Sequence, residues 1–159
     1  MKVKLDRGAY MPERAYPTDA GADLKTPYGF TLWHNEKKVI DTGVHIEIPA
    51  GFVGMVKSKS GLMCNCGITT DGTVDAGYTG SIRVWLKNNS HYAKVFKPGD
   101  KIAQLVILPI ITPDFEQVDE ITGGERQATG AESTYLRKLA SDWEKEHTKA
   151  KEEHDCYKC

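Results

Sequence analysis

The sequence predicts an all-β body of many short strands, a sandwich or jelly roll, followed by a short C-terminal helix. Three observations carry this. Apolar and polar residues alternate over short runs, turn-forming residues separate those runs, and near the C-terminus Pro and Gly vanish while the apolar spacing becomes helical. Met1, Val3 and Leu5 alternate with Lys2, Lys4 and Asp6, and Val44, Ile46 and Ile48 alternate with His45 and Glu47. Phe52 to Lys57 and Ile102 to Leu108 read as further strands. Ile82, Val84 and Leu86 alternate with Ser81, Arg83, Trp85 and Lys87, which predicts a strand with one buried and one partly exposed face. Pro49-Ala50-Gly51, Asp71-Gly72, Pro98-Gly99-Asp100 and Thr112-Pro113-Asp114 supply the turns between runs. From Ser133 onward, Leu136, Leu139, Ala140 and Trp143 fall at i, i+3, i+4 and i+7, one face of a helix that Ser133 or Thr134 would cap. Beyond Trp143 the chain is charged throughout, so the helix should fray unless a protein partner covers it. Its apolar stripe is expected to dock on the β body.

The chain's 159 residues suit a single domain able to bury a core. A net charge of -1 gives no footprint for nucleic acid or an anionic membrane surface. The longest apolar run, Ile102 to Ile111, is broken by Gln104 and Pro109 and is too short to span a bilayer. Met1 to Asp6 lacks the apolar core of a signal peptide, and a soluble, cytoplasmic protein is expected. The four cysteines form two close pairs, Cys64/Cys66 and Cys156/Cys159. Reduced thiols are expected, since a zinc site at Cys156, Cys159 and His154 would need its other half from Cys64-Asn65-Cys66, a spacing unusual for zinc.

Chemistry concentrates in the stretch Gly72 to Asn88. Asp75 places a carboxylate on a tight glycine-flanked turn, and Tyr78 places an aromatic face three residues on. Such a pair can hold a sugar and orient a water, although Asp and Gly are also ordinary turn formers.

Four other segments accompany it in order: Ala15 to Leu24, containing Ala20-Gly21-Ala22-Asp23; Lys57 to Leu62, containing Lys59-Ser60-Gly61; Gly99 to Leu105, containing Gln104; and Arg126 to Thr134. Together the five resemble the motifs of the trimeric dUTP pyrophosphatases (dUTPases) over roughly residues 2 to 134. The resemblance implies a jelly-roll β-barrel domain over 1–134, with 135–159 as helix and charged tail, assembled as a homotrimer. It implies hydrolysis of dUTP to dUMP and pyrophosphate with Mg²⁺, lowering dUTP and supplying dUMP for thymidylate synthesis.

Residue by residue, Asp75 matches the acid that holds the attacking water and the 3′-hydroxyl. An aspartate carboxylate is a weak base near neutral pH, so orientation and proton acceptance during bond formation would be its contribution. Tyr78 matches the aromatic that packs on the deoxyribose and excludes a 2′-hydroxyl. Backbone groups around Thr70, Asp71 and Gly72 match the reader of the uracil edge. Lys59, Ser60, Gly61 and Gln104 match phosphate contacts, and Arg126, Ser133 and Thr134 match the tail that closes over the outer phosphates. Asp23 matches the acid near Mg²⁺, acting through waters.

Three departures stand out. Lys59 replaces the usual Arg and loses the bidentate fork. Ala131, followed by Glu132, replaces the Phe-Gly that stacks on uracil, and Tyr135 replaces the final Gly. Tyr135 is therefore a candidate for covering the base, against the alternative of a packing residue at the helix start. Two other functions fit parts of the pattern. The related dCTP deaminases need a glutamate where this chain has Trp85, and no acid lies between Asp75 and Asp100. A nucleotide-binding regulator with weakened turnover would suit the altered last motif, but has no need of the water-holding acid.

Overall fold

The alternating runs form strands. The computed structural model describes residues 1–123, 138 and 141–143. Its elements are β1 (Val3–Leu5), β2 (Gly21–Lys25), β3 (Phe30–Leu32), β4 (Lys37–Asp41), β5 (Val44–Ile46) and β6 (Phe52–Lys57), then α1 (Ser60–Cys66). They continue with β7 (Ile68–Thr69), β8 (Asp71–Val74), β9 (Arg83–Asn88), β10 (Lys94–Phe96) and β11 (Lys101–Pro109). The strands are grouped as a four-stranded sheet in the order β2-β11-β6-β8, a three-stranded sheet β4-β9-β7, and the pairs β1-β5 and β3-β10. Every strand pairing among the described residues is antiparallel, as expected of short strands joined by turns.

The period-2 pattern translates directly into burial. On β9, Val84, Leu86 and Asn88 are buried while Arg83, Trp85 and Lys87 are exposed, and Ile82 just before the strand is buried too. Val44, Ile46 and Ile48 are likewise buried. With Leu24, Ile40, Val56 and Leu105, the apolar side chains among these form one continuous core. β1 departs from its pattern: Val3 is half-buried but Leu5 is 38% exposed. A three-residue strand paired on one side has little surface to cover it.

Helix α1 was not legible, because Ser60-Gly61-Leu62-Met63-Cys64-Asn65-Cys66 is only seven residues long and buries none of them fully. Its Cys64 is exposed and Cys66 half-buried, and both are free thiols.

The chain divides into two units, Met1–Pro113 and Asp114–Cys159. Among the described residues, the eleven strands and α1 lie in the first. In the second, residues 114–123 carry no regular structure, with Phe115 and Ile121 exposed, and Lys138 and Ser141–Trp143 are helical, inside the segment expected to be a helix. The boundary at residue 134 marks where the sequence motifs end, a different criterion from compactness.

Candidate active site

The central strand β11 organises the polar half of the site. Gln104 pairs with Asp23 of β2 on one side and with Lys57 of β6 on the other, and Lys57 pairs with Asp71 of β8. Directly paired residues project from the same face of a sheet, so Asp23, Gln104, Lys57 and Asp71 form a row across all four strands. A register shift between Lys101 and Ala103 aligns Lys101 with Lys25, two residues from Asp23 on the same face. Without that bulge the strand's alternation would send Lys101 to the opposite side.

The consequence is a doubly paired carboxylate. Asp23 is buried, its Oδ2 lies 2.6 Å from Lys101 Nζ, and its Oδ1 pairs with Lys59 Nζ. Burial pushes the Asp23 pKa up, but the Lys101 and Lys59 ammonium groups outweigh it and hold the group below its ordinary value. Lys101 is shifted upward by the same pairing. Gln104 Nε2 donates to the Ser58 carbonyl at 3.0 Å and so braces the segment that presents Lys59, Ser60 and Gly61. Ser60 and Gly61 are exposed at the start of α1, where the first backbone N–H groups have no partner within the helix.

Thr70, expected to help read a base, is occupied on its backbone. Its N–H donates to Ser58 Oγ and its carbonyl accepts from the same hydroxyl, each at 2.8 Å. Its own Oγ1 is buried and lacks a hydrogen-bond partner among the described residues. Asp71 is exposed and ion-paired with Lys57, whose bond and charge lower the Asp71 pKa. The strand β8 that follows is hydrogen-bonded to β6 on one side and is the sheet's edge among the described residues. Alternate backbone groups of Asp71–Val74 therefore point away from the sheet.

Asp75 leaves β8 on a tight turn. The Tyr78 N–H donates to the Asp75 carbonyl at 3.2 Å, and Gly77, third of the four residues, has φ +84°. That conformation belongs to a type II turn, and glycine is the residue that adopts it without strain. Asp75 and Tyr78 are both exposed, and they line one cavity of about 170 Å³ together with Val56, Gly72, Thr73 and Arg83. Tyr78 Oη donates to the Ser81 carbonyl at 2.9 Å, which lays the ring back over Gly80.

The predicted residues thus fall into two groups within the first unit: Asp75, Tyr78 and Gly72 around the cavity, and Asp23, Lys59 and Gln104 on the sheet, with Ser60 and Gly61 beside them. Arg126, Ser133, Thr134 and Tyr135, and the cysteine pair Cys156/Cys159, lie outside the described residues. The sequence reading missed Lys101, whose signal is visible only once the bulge is known, and Arg83, which alternation places on the exposed face of β9.

A family model described as dUTPase matches residues 7–135. The deoxyuridine 5'-triphosphate nucleotidohydrolase of Tropheryma whipplei (strain Twist) is 40% identical over 126 residues, covering 77% of this chain and 86% of the relative. That of Bifidobacterium longum (strain DJO10A) is 44% identical over 124 residues, 76% of this chain and 78% of the relative. Among solved structures, a mutant dUTPase of Staphylococcus bacteriophage 80alpha with dUpNHpp superposes with a TM-score of 0.76 at 33% identity, covering 86% of this chain and 96% of that one. A mutant dUTPase from phage phi11 of S. aureus, described with a coordinated structural Mg(II) ion, gives a TM-score of 0.72 at 34% identity over 77% of this chain and 98% of that one.

Proposed function

The chain belongs to the dUTPase family, and we propose that it hydrolyses dUTP to dUMP and pyrophosphate by attack of water on the α-phosphorus. The observation that carries this reading is the Asp75–Tyr78 turn, which brings an exposed carboxylate and an aromatic ring to one cavity beside the edge strand β8. Asp75 orients the water and accepts its proton as the phosphorus–oxygen bond forms. Tyr78 packs against the deoxyribose, where a 2′-hydroxyl would clash. The outward-facing backbone groups at the start of β8, in the Asp71–Gly72 segment, pair with the uracil edge, and a cytosine edge leaves such groups unpaired. With the Thr70 peptide taken by Ser58, that reading falls to the groups that follow it.

The triphosphate is held by Lys59, Ser60, Gly61 and Gln104, the tail residues Arg126, Ser133 and Thr134 close over its outer phosphates, and Tyr135 is the candidate for covering the uracil. Arg83, which lines the cavity with Asp75, supplies positive charge to the α-phosphoryl oxygens, which carry the negative charge as water attacks the phosphorus. Lys59 has to exchange its Asp23 partner for a phosphate oxygen, which a flexible point charge can do more readily than a fixed fork.

The donor set fits Mg²⁺ held through its water shell. Each Asp23 oxygen faces one ammonium and keeps a further lone pair for a metal-bound water, while the described residues contain no cluster of three metal-ligating side chains for direct coordination. When bound, the ion neutralises phosphate charge and fixes the triphosphate conformation. The active assembly is a homotrimer, with sites completed between copies. A deaminase reading is disfavoured, because Trp85 is exposed on the outer face of β9 and Asp75 is the carboxylate that lines the cavity.

The deciding assay supplies Mg²⁺ with dUTP, dCTP, dTTP or UTP and measures pyrophosphate and ammonia. Pyrophosphate from dUTP alone is expected. Ammonia from dCTP would replace the reading with deamination, and tight dUTP binding without product would replace it with a regulatory role.

A further inference from the structure

The turn that carries Asp75 and Tyr78 is fastened by a histidine that the reaction does not use. His45 sits on β5 opposite Lys4 of β1. Its Nδ1 lies 2.8 Å from the Thr79 carbonyl oxygen, and its Nε2 lies 3.1 Å from Asp6 Oδ2. Thr79 directly follows Tyr78, and the His45 side chain is only 19% exposed. Both of its partners are acceptors, so both contacts are hydrogen bonds only while the ring carries two protons.

A neutral ring has one proton to give, and the carboxylate is the better acceptor, since a charge-assisted bond is about twice as strong as a neutral one. Loss of a proton therefore leaves Nε2–H on Asp6 and turns the Nδ1 lone pair toward the Thr79 oxygen. Attraction at that contact becomes repulsion.

We propose that His45 is a positioning residue whose protonated ring clamps the catalytic turn through the Thr79 carbonyl and frees it on deprotonation; the proposal rests on the roles given above to Asp75 and Tyr78. The Thr79 carbonyl, and then Asp6, raise the His45 pKa against the opposing effects of burial and Lys4. The charges facing the ring are Asp6, Lys4, which lies 4.0 Å from Asp6 Oδ1, and Asp41 at the end of β4, which Arg83 of β9 approaches at 4.0 Å. Because the folded pKa lies above the ordinary 6.5, the clamp is complete below that value and is lost as pH rises through the raised one. Release is local, because Asp41 Oδ1 accepts from Ser81 Oγ and from the Gly43 N–H and holds the exit of the turn independently.

The test follows kcat/KM for dUTP from about pH 6 to about pH 9 in the parent and three variants. In His45→Asn the amide nitrogen takes the place of Nδ1 and donates to Thr79 at every pH. In Asp6→Asn the carboxamide donates to Nε2, so the neutral ring keeps its proton on Nδ1. Both variants should hold their activity at high pH while the parent falls relative to them by up to about tenfold, and His45→Leu should sit at the low level throughout. A parent-to-His45→Asn ratio that stays flat across the range overturns the proposal. Side-chain ¹⁵N NMR of the free protein reads the ring without turnover: the proton should leave Nδ1, and a ring that is neutral throughout or deprotonates at Nε2 refutes the clamp. A parent inactive on dUTP at every pH would instead count against the dUTPase reading, and the NMR result would still decide the clamp.

Discussion

Gly80→Ala offers the sharpest test of Tyr78, because the structure sets the size of the perturbation. A methyl group at position 80 would lie 2.4 Å from Tyr78 Oη and 2.6 Å from its Cζ. Optimal heavy-atom contacts lie at about 3.5 Å, so the ring must recede by about 1 Å. Gly80 is not among the described glycines with positive φ, so the backbone accepts alanine and the strain falls on the ring alone. Tyr78 is 43% exposed, so the ring can swing outward, losing its bond to the Ser81 carbonyl at a net cost of about 0.5–1.5 kcal/mol or less. The effect on the substrate is larger: a displacement of about 1 Å in a positioning group can cost up to about 10²-fold. Steady-state kinetics with dUTP and thermal unfolding of the same preparations separate the two effects. The expected result is a KM raised about tenfold or more with Tm nearly unchanged. Unaltered kinetics would refute the role of Tyr78 as the sugar platform, and a large fall in Tm with normal kinetics would make it a packing residue.

Asp75→Asn should keep dUTP binding and lose about 10²- to 10⁴-fold in turnover, measured by calorimetry and pyrophosphate release; a rate near the parent's would remove Asp75 from the mechanism. Asp23→Asn should lower stability at neutral pH by about 1–3 kcal/mol, less than the about 3–5 of a fully buried pair because the Lys101 side chain is 46% exposed. Since the folded pKa of Asp23 is depressed, its contribution is present above the ordinary 3.8 and lost as pH falls through the lower folded value, so parent and variant should converge in Tm under strong acid. Light scattering should give three times the chain mass of 17.7 kDa, and full activity at the single-chain mass would exclude a shared site.

What the sequence discloses about this protein depends on the range of the cause. Strand β9 was legible because period-2 alternation is a local property, and burial of Ile82, Val84 and Leu86 follows from it without knowledge of the neighbours. The Asp75 turn was legible for the same reason, since Gly77 supplies its positive φ from within the four residues. Helix α1 was too short for a periodic signal. Lys101 was hidden by a non-local cause: its alternation along β11 is interrupted at the bulge, and only the register against β2 reveals that it faces Asp23.

The same distinction explains why motif matching assigned Asp23, Lys59 and Gln104 to ligands but could not say what holds them beforehand. Each already has a partner in this fold: Asp23 has two lysines, Lys59 has Asp23, and the Gln104 amide has the Ser58 carbonyl. A triphosphate entering this face does not meet free charges, so the favourable part of its binding is the difference between phosphate contacts and the contacts they replace. Asp75 differs, since it is exposed at its turn and lines an open cavity. The groups proposed to bind phosphate are thus prepaired, while Asp75, proposed to position water, is left available, an arrangement that suits differential stabilisation of the transition state.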